Sequence, residues 1–166
     1  MREMRGRVAT LLALCLLLAM GSCRAQPPVE PSAANGSLAL VAAAIDGVRN
    51  GIAVTGFARE RGLALQPGTA GNFQAEQSGT RLVLFQNDAG TLVRADLYFP
   101  LADAPRRAEL ETLTGALTLY QQSKDSRART ELAATQTQAG AVLFVELLGA
   151  TPDGSSPVKS LSARLR

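Results

Sequence analysis

The chain predicts an α+β domain, an antiparallel sheet built from hairpins with helices packed on one face. Three observations carry that expectation. Apolar residues between positions 38 and 58 recur at spacings of three and four. Positions 81–99 alternate around a turn cluster, and positions 141–166 hold two strand-like runs around a second turn. Adjacent hairpins give no reason to expect a parallel, doubly wound sheet.

The elements follow in order. Ser37 is a good helix N-cap, and Leu38, Val41, Ile45, Val48 and Ile52 then fall on one helical face. Gly47 and Gly51 each cost about 1 kcal/mol relative to alanine, which places a break near Asn50-Gly51. Val54, Phe57 and Ala58 form a second stripe, closed by Gly62-Leu63 as a glycine cap with an apolar contact behind it. A strand across Ile52–Phe57 is the alternative. Gly47-x-x-x-Gly51 matches a transmembrane packing pattern, but it lies outside any membrane-length segment and is read as coincidence.

Positions 66–79 are polar and glycine-rich, with Pro67-Gly68 as a turn. Arg81–Phe85 and Thr91–Phe99 then form a hairpin about Asn87-Asp88-Ala89-Gly90. A four-residue loop pairs Gln86 with Thr91, which sets Leu84 opposite Val93, Leu82 opposite Ala95 and Arg81 opposite Asp96. Val93, Ala95, Leu97 and Phe99 take one face of the second strand. Leu92, Arg94, Asp96 and Tyr98 take the other.

Pro100 ends that strand. Asp103-Ala104-Pro105 opens a helix carrying Leu110, Leu113, Leu117 and Tyr120 on one face. Ser126–Gln138 admits either helix or strand, and the reading leans to strand. Ala141–Leu148 is apolar on both faces, as a central strand is. After the turn Thr151-Pro152-Asp153-Gly154, Val158–Arg166 pairs back with Leu161, Ala163 and Leu165 on one face.

The N-terminus carries a destination. Arg2, Arg5 and Arg7 precede the apolar run Val8–Met20, the layout of a secretory signal peptide. The run is shorter than the roughly 20 apolar residues that cross a bilayer. Its end, Ala19-Met20-Gly21-Ser22-Cys23, resembles the lipobox of bacterial lipoproteins, with Met20 where leucine is usual. The resemblance covers residues 1–23 only. It implies cleavage before Cys23, diacylglycerol on its thiol and an acyl chain such as palmitate on its amino group. In that family an aspartate after the cysteine commonly retains the product in the inner membrane; Arg24 here implies the periplasmic face of the outer membrane. Cleavage after Ala25 is the alternative and would release the chain into the periplasm. Cys15 leaves with the signal, so Cys23 stands alone, better explained as a lipid acceptor than as half of a disulfide. The organisation is therefore a cleaved signal over 1–22, a lipidated, proline-rich linker over 23–36 and one α+β domain over 37–166.

Charge and composition narrow the function. Three of the 17 basic residues and one of the 14 acidic residues precede Cys23, leaving a balance of +1, with no electrostatic footprint for nucleic acid. Histidine is absent, so histidine triads and the common zinc sites are absent too. No P-loop, G-x-G-x-x-G or EF-hand loop occurs, and no cofactor or metal is expected. Ser156-Pro157-Val158-Lys159 matches the S-x-x-K of penicillin-binding proteins, but its companion motifs are missing and Lys159 belongs to a strand pattern. Glu146 shares a strand face with Val142, Phe144 and Leu148, which makes it either a buried acid or base, or a carboxylate paired with an arginine or solvated at one end. These observations lead to a lipid-anchored, non-enzymatic interaction or assembly module facing the periplasm. It would hold the membrane through Cys23 and an envelope protein through the row Leu92, Arg94 and Tyr98. An apolar small-molecule or lipid-binding lipoprotein is the alternative, and a Ser/Lys or carboxylate hydrolase a third class.

Overall fold

A computed structural model describes residues 33–122, 130–136, 140–149 and 153–166. Cys23 and most of the linker lie outside the described residues, as do 126–129, 137–138 and the Thr151-Pro152 half of the second turn. The elements are α1 (Ala33–Asn50), α2 (Val54–Glu60), β1 (Gln66–Pro67), β2 (Phe73–Gln77), β3 (Thr80–Gln86), β4 (Leu92–Tyr98), α3 (Arg107–Thr114), β5 (Thr118–Gln122), β6 (Thr130–Gln136), β7 (Ala141–Leu148) and β8 (Val158–Leu165).

Among the described residues the strands form one antiparallel sheet in the order β1-β2-β3-β4-β8-β7-β6-β5. The chain runs as a meander from β1 to β4, crosses through α3 to the far edge, and meanders back from β5 to β8. The last strands of the two meanders, β4 and β8, meet at a central seam. The helices cover one face. Val41, Val48, Val54, Phe57 and Leu110 pack there with Leu82, Leu84, Leu97, Leu143, Leu147 and Leu161, all fully buried. This is the α+β architecture that the periodicities predict.

The α1–α2 break falls where the glycines place it. Gly51 adopts φ +59, a conformation that glycine enters without the Cβ penalty. Gly47 has a different use: a Cβ added there would stand 3.1 Å from Leu92 and 3.2 Å from Ile52 and Phe57. The Gly47-x-x-x-Gly51 pair thus serves a close helix–sheet approach and a helix end. The α2 terminus is the glycine cap read from the sequence, with Gly62 at φ +63 and the Leu63 N–H donating to the Ala58 carbonyl at 2.9 Å. Ser37 is not an N-cap. α1 begins at Ala33, inside the segment read as linker, and the buried Ser37 hydroxyl donates across the domain to the Asp103 carbonyl at 3.1 Å.

The β3–β4 hairpin forms with its register two residues from the expected one: Leu84 faces Ala95, Leu82 faces Leu97 and Arg81 faces Tyr98. Two local features cause the shift. Asn87 Oδ1 accepts the Ala89 and Thr91 N–H groups at 3.1 and 3.0 Å, extending the loop through Thr91. Val93 is then an extra residue, because Phe85 pairs with Arg94 while Gln86 pairs with Leu92. Such a bulge interrupts the alternation. Leu92 therefore turns into the core and is fully buried, its N–H donating to the Ile52 carbonyl at 2.8 Å. The exposed position read for Leu92 is thus corrected.

Three further differences concern edges and connections. β2 lies in the stretch read as loop, joined to β3 by a tight turn in which Ser78 and Gly79 both have positive φ, +49 and +77. α3 starts at Arg107, and Asp103 is not its cap. The Arg106 N–H donates to Glu109 Oε2 at 2.6 Å, while the Arg107 and Ala108 N–H groups donate to the Ser156 and Gly154 carbonyls, both at 2.9 Å. α3 also ends early, at Thr114, with Gly115 at φ +83. Leu110 is buried, Leu113 is exposed, and residue 120 belongs to β5. The Glu111 carboxyl receives the Leu117 N–H at 3.0 Å and the Arg107 Nε at 3.0 Å, and that backbone bond, followed by the arginine, holds it below the usual carboxylate range. Within Ser126–Gln138, the described part is strand β6.

The bulge makes a sharp prediction. Leu92→Ala should lower the unfolding free energy by about 2–5 kcal/mol, as buried leucine truncations do. Urea titration checks it: a loss under about 0.5 kcal/mol, typical of a surface site, would return Leu92 to the exposed face.

Candidate functional site at the seam of the open sheet face

Among the described residues no element covers the face away from the helices, and its centre is the β4–β8 seam. Across it Arg94 stands opposite Arg164, Asp96 opposite Ser162, and Tyr98 opposite Ser160. β7 adds Phe144 beside Ser162 and Glu146 beside Ser160. On the other flank β3 adds Phe85 beside Arg94 and Arg81 beside Tyr98. The period of two dictates this: along each strand the alternate residues, Ala95, Leu97, Leu161 and Ala163 among them, are buried in the core.

The side chains at the seam form one connected network. Arg94 donates Nε to Asp96 Oδ1 at 2.8 Å and Nη2 to Oδ2 at 2.5 Å, a bidentate pair along a single strand. Ser162 donates its hydroxyl to Asp96 Oδ1 at 2.5 Å, and Arg164 Nε donates to Ser162 Oγ at 3.0 Å. Hydrogen bonding to Asp96 raises the Arg94 pKa above the ordinary arginine value. The Asp96 side chain keeps only 6% of its exposure. A carboxylate so covered would cost several kcal/mol if unpaired; here three donors satisfy it.

Aromatic rings hold the guanidinium groups in place. Arg94 lies 4.5 Å from the Phe85 ring centre, Arg164 lies 4.7 Å from Phe144, and Arg81 lies 4.7 Å from Tyr98. At the other end of the seam Glu146 accepts Lys159 Nζ at 2.9 Å and Ser160 Oγ at 3.0 Å. Arg94, Asp96, Tyr98, Phe144, Glu146 and Arg164, with the serines between them, line a shallow depression of about 190 Å³.

The structure sorts the residues singled out from the sequence. Arg94 and Tyr98 stand on the open face, Tyr98 at 39% exposure, while Leu92 lies on the other side of the sheet. Glu146 is paired, with a lysine where the sequence offered an arginine. Ser156 and Lys159 do not meet. Ser156 is buried in the β7–β8 turn and accepts the Asp153 N–H at 2.9 Å, whereas Lys159 is the extra residue of a β8 bulge and reaches the open face. In the same turn the Ser155 hydroxyl and N–H hold the Asp153 carboxyl below its usual range. Among the described residues no cluster of three or more acidic, histidine or cysteine side chains is placed to hold a metal ion. Sequence reasoning missed Ser162, Arg164 and Phe144. The signal for Ser162 and Arg164 was the strict polar alternation of Ser160, Ser162 and Arg164 between apolar neighbours; Phe144 lies in an apolar run and carried none.

Removing the central carboxylate tests the network. Asp96→Ala should destabilise the fold by about 2–3 kcal/mol, below the 3–5 kcal/mol of a fully buried pair because the Arg94 side chain keeps 36% of its exposure. A double-mutant cycle with Ser162→Ala should give a coupling of about 1 kcal/mol or more; strict additivity would mean that the two side chains do not interact.

No protein-family model, curated protein or solved structure matches the chain.

Proposed function

We propose that the chain is a lipid-anchored, non-enzymatic interaction module of the bacterial envelope. It is tethered through Cys23 at the periplasmic face of the outer membrane and docks a protein partner on the open face of its sheet. The observation that carries the reading is that face. Its core is a pre-ordered row of arginine, aromatic and serine side chains, the residue mix enriched at interface centres being aromatic residues and arginine. The lipobox resemblance at Ala19–Cys23 and the prolines Pro27, Pro28 and Pro31 behind it support a domain held at a distance from its membrane.

The competing readings draw less support. A Ser/Lys hydrolase needs Ser156 and Lys159 in hydrogen-bond reach, and they occupy different environments. An apolar-ligand carrier needs room between helices and sheet; at Gly47 an added Cβ would already press on Leu92, Ile52 and Phe57 at 3.1–3.2 Å.

Two measurements test the proposal together. Intact mass should give a chain beginning at Cys23 with its lipid; an N-terminus at Gln26 without lipid overturns the anchor. A photo-crosslinking residue at Tyr98, on the open face, should capture one identifiable envelope protein in cells. The same residue at Asp46, exposed on α1, should not. Absence of an adduct at Tyr98, or loss of the cellular phenotype in Ser156→Ala with capture intact, overturns the docking role.

A further inference from the structure

We infer that the opposed pair Arg94 and Arg164 is the anchor of this face, a receptor for a glutamate or aspartate side chain of a protein partner. The inference rests on the docking role proposed above and names the chemistry of the partner.

The pair is an electrostatic anomaly of the seam. Like charges directly opposite on neighbouring strands, with Cβ atoms about 5 Å apart, are destabilising, yet β4 and β8 place two arginines so. Asp96 answers only one of them. Arg94 spends Nε and Nη2 on Asp96, while Arg164 has Nε on the neutral Ser162 hydroxyl. Among the described residues, no carboxylate lies within ion-pairing distance of Arg164, and no hydrogen bond engages its two η nitrogens or Nη1 of Arg94. Both groups are also braced, Arg94 on Phe85 and Arg164 on Phe144. Guanidinium forks match carboxylates bidentately, and bracing before contact removes part of the ordering cost of binding. A carboxylate entering between them would take up the free edge of Arg164 and relieve the repulsion across the seam.

The rest of the face selects the source of that carboxylate. Asp96, Glu146 and the Glu76–Arg81 register pair interleave negative groups with the positive ones. An anionic lipid surface or nucleic acid presents negative charge throughout and would meet those carboxylates. An acidic side chain on an otherwise neutral or mixed protein segment would not. Complementarity of this alternating kind fixes register and rejects wrong partners.

The probe is a fluorescein-labelled peptide alternating glutamate and threonine, titrated by anisotropy against the full lipidated chain in zwitterionic detergent. Saturable binding is expected, weakened about tenfold in Arg164→Gln, equivalent to about 1.4 kcal/mol. Arg164→Lys keeps the charge without the fork and should lose less; it also carries the comparison if the glutamine variant does not fold. A peptide with glutamine for glutamate should bind at least about tenfold more weakly. Equal binding of the two peptides, or indifference to both variants in folded protein, overturns the inference. Displacement of the peptide by glycerol phosphate at lower concentration than by free glutamate overturns it too, in favour of a lipid headgroup. Crosslinking through Tyr98 without any peptide binding would leave the docking role standing and remove the arginine pair as its anchor.

Discussion

The pairing of β4 with β8 is the constraint on which the rest depends. It alone joins the two meanders within the described sheet. Its two faces do different work. Beneath, Ala95 and Leu97 meet Ala163 and Leu161 in the core against the helices; above, Asp96 meets Ser162 in the network. A one-residue slip would exchange the faces, burying arginines and exposing leucines. Apolar burial on one side and carboxylate satisfaction on the other therefore enforce the same register, through residues 66 positions apart in the chain.

The helical layer is fitted to that sheet by two small departures from regularity. Gly47 removes a side chain where α1 crosses Leu92, and the Val93 bulge turns Leu92 into the space so provided. Backbone bonds then lock the corner: Leu92 N–H to Ile52 O at 2.8 Å and Val54 N–H to Gly90 O at 3.1 Å. The α1–α2 break and the β3–β4 loop are thus two halves of one joint. The same logic sets the start of α3, where Glu109 receives the Arg106 N–H and carbonyls of the β7–β8 turn receive those of Arg107 and Ala108.

On the open face the side chains are held by one another. Three guanidinium groups lie against three rings, and one nearly buried carboxylate binds both strands of the seam. Such a surface loses little side-chain freedom on contact. It also leaves polarity unevenly answered, with Asp96 and Glu146 fully engaged and the outer edge of Arg164 not. That imbalance, more than the depth of the depression, is what the proposed docking of an acidic side chain rests on.

By itself the sequence determined what depends on neighbours close along the chain. The helical stripe ending at Gly51, the Gly62-Leu63 cap and the strands on either side of Asn87–Gly90 and of the 151–154 turn are local patterns, and they stand in the fold. Arg94 and Tyr98 were legible as residues of one strand face for the same reason. Tertiary structure decided the rest. Strands β2, next to one edge of the sheet, and β5, at the other, lack a continuous apolar signal because partner strands, not composition, hold them. The side of the sheet that receives Leu92 turned on one inserted residue, since a period-two pattern reverses wherever a bulge interrupts it. Ser162 and Arg164 could not be joined to Asp96 and Arg94 from sequence, because strand order is set by burial summed over the whole sheet and no local spacing encodes it.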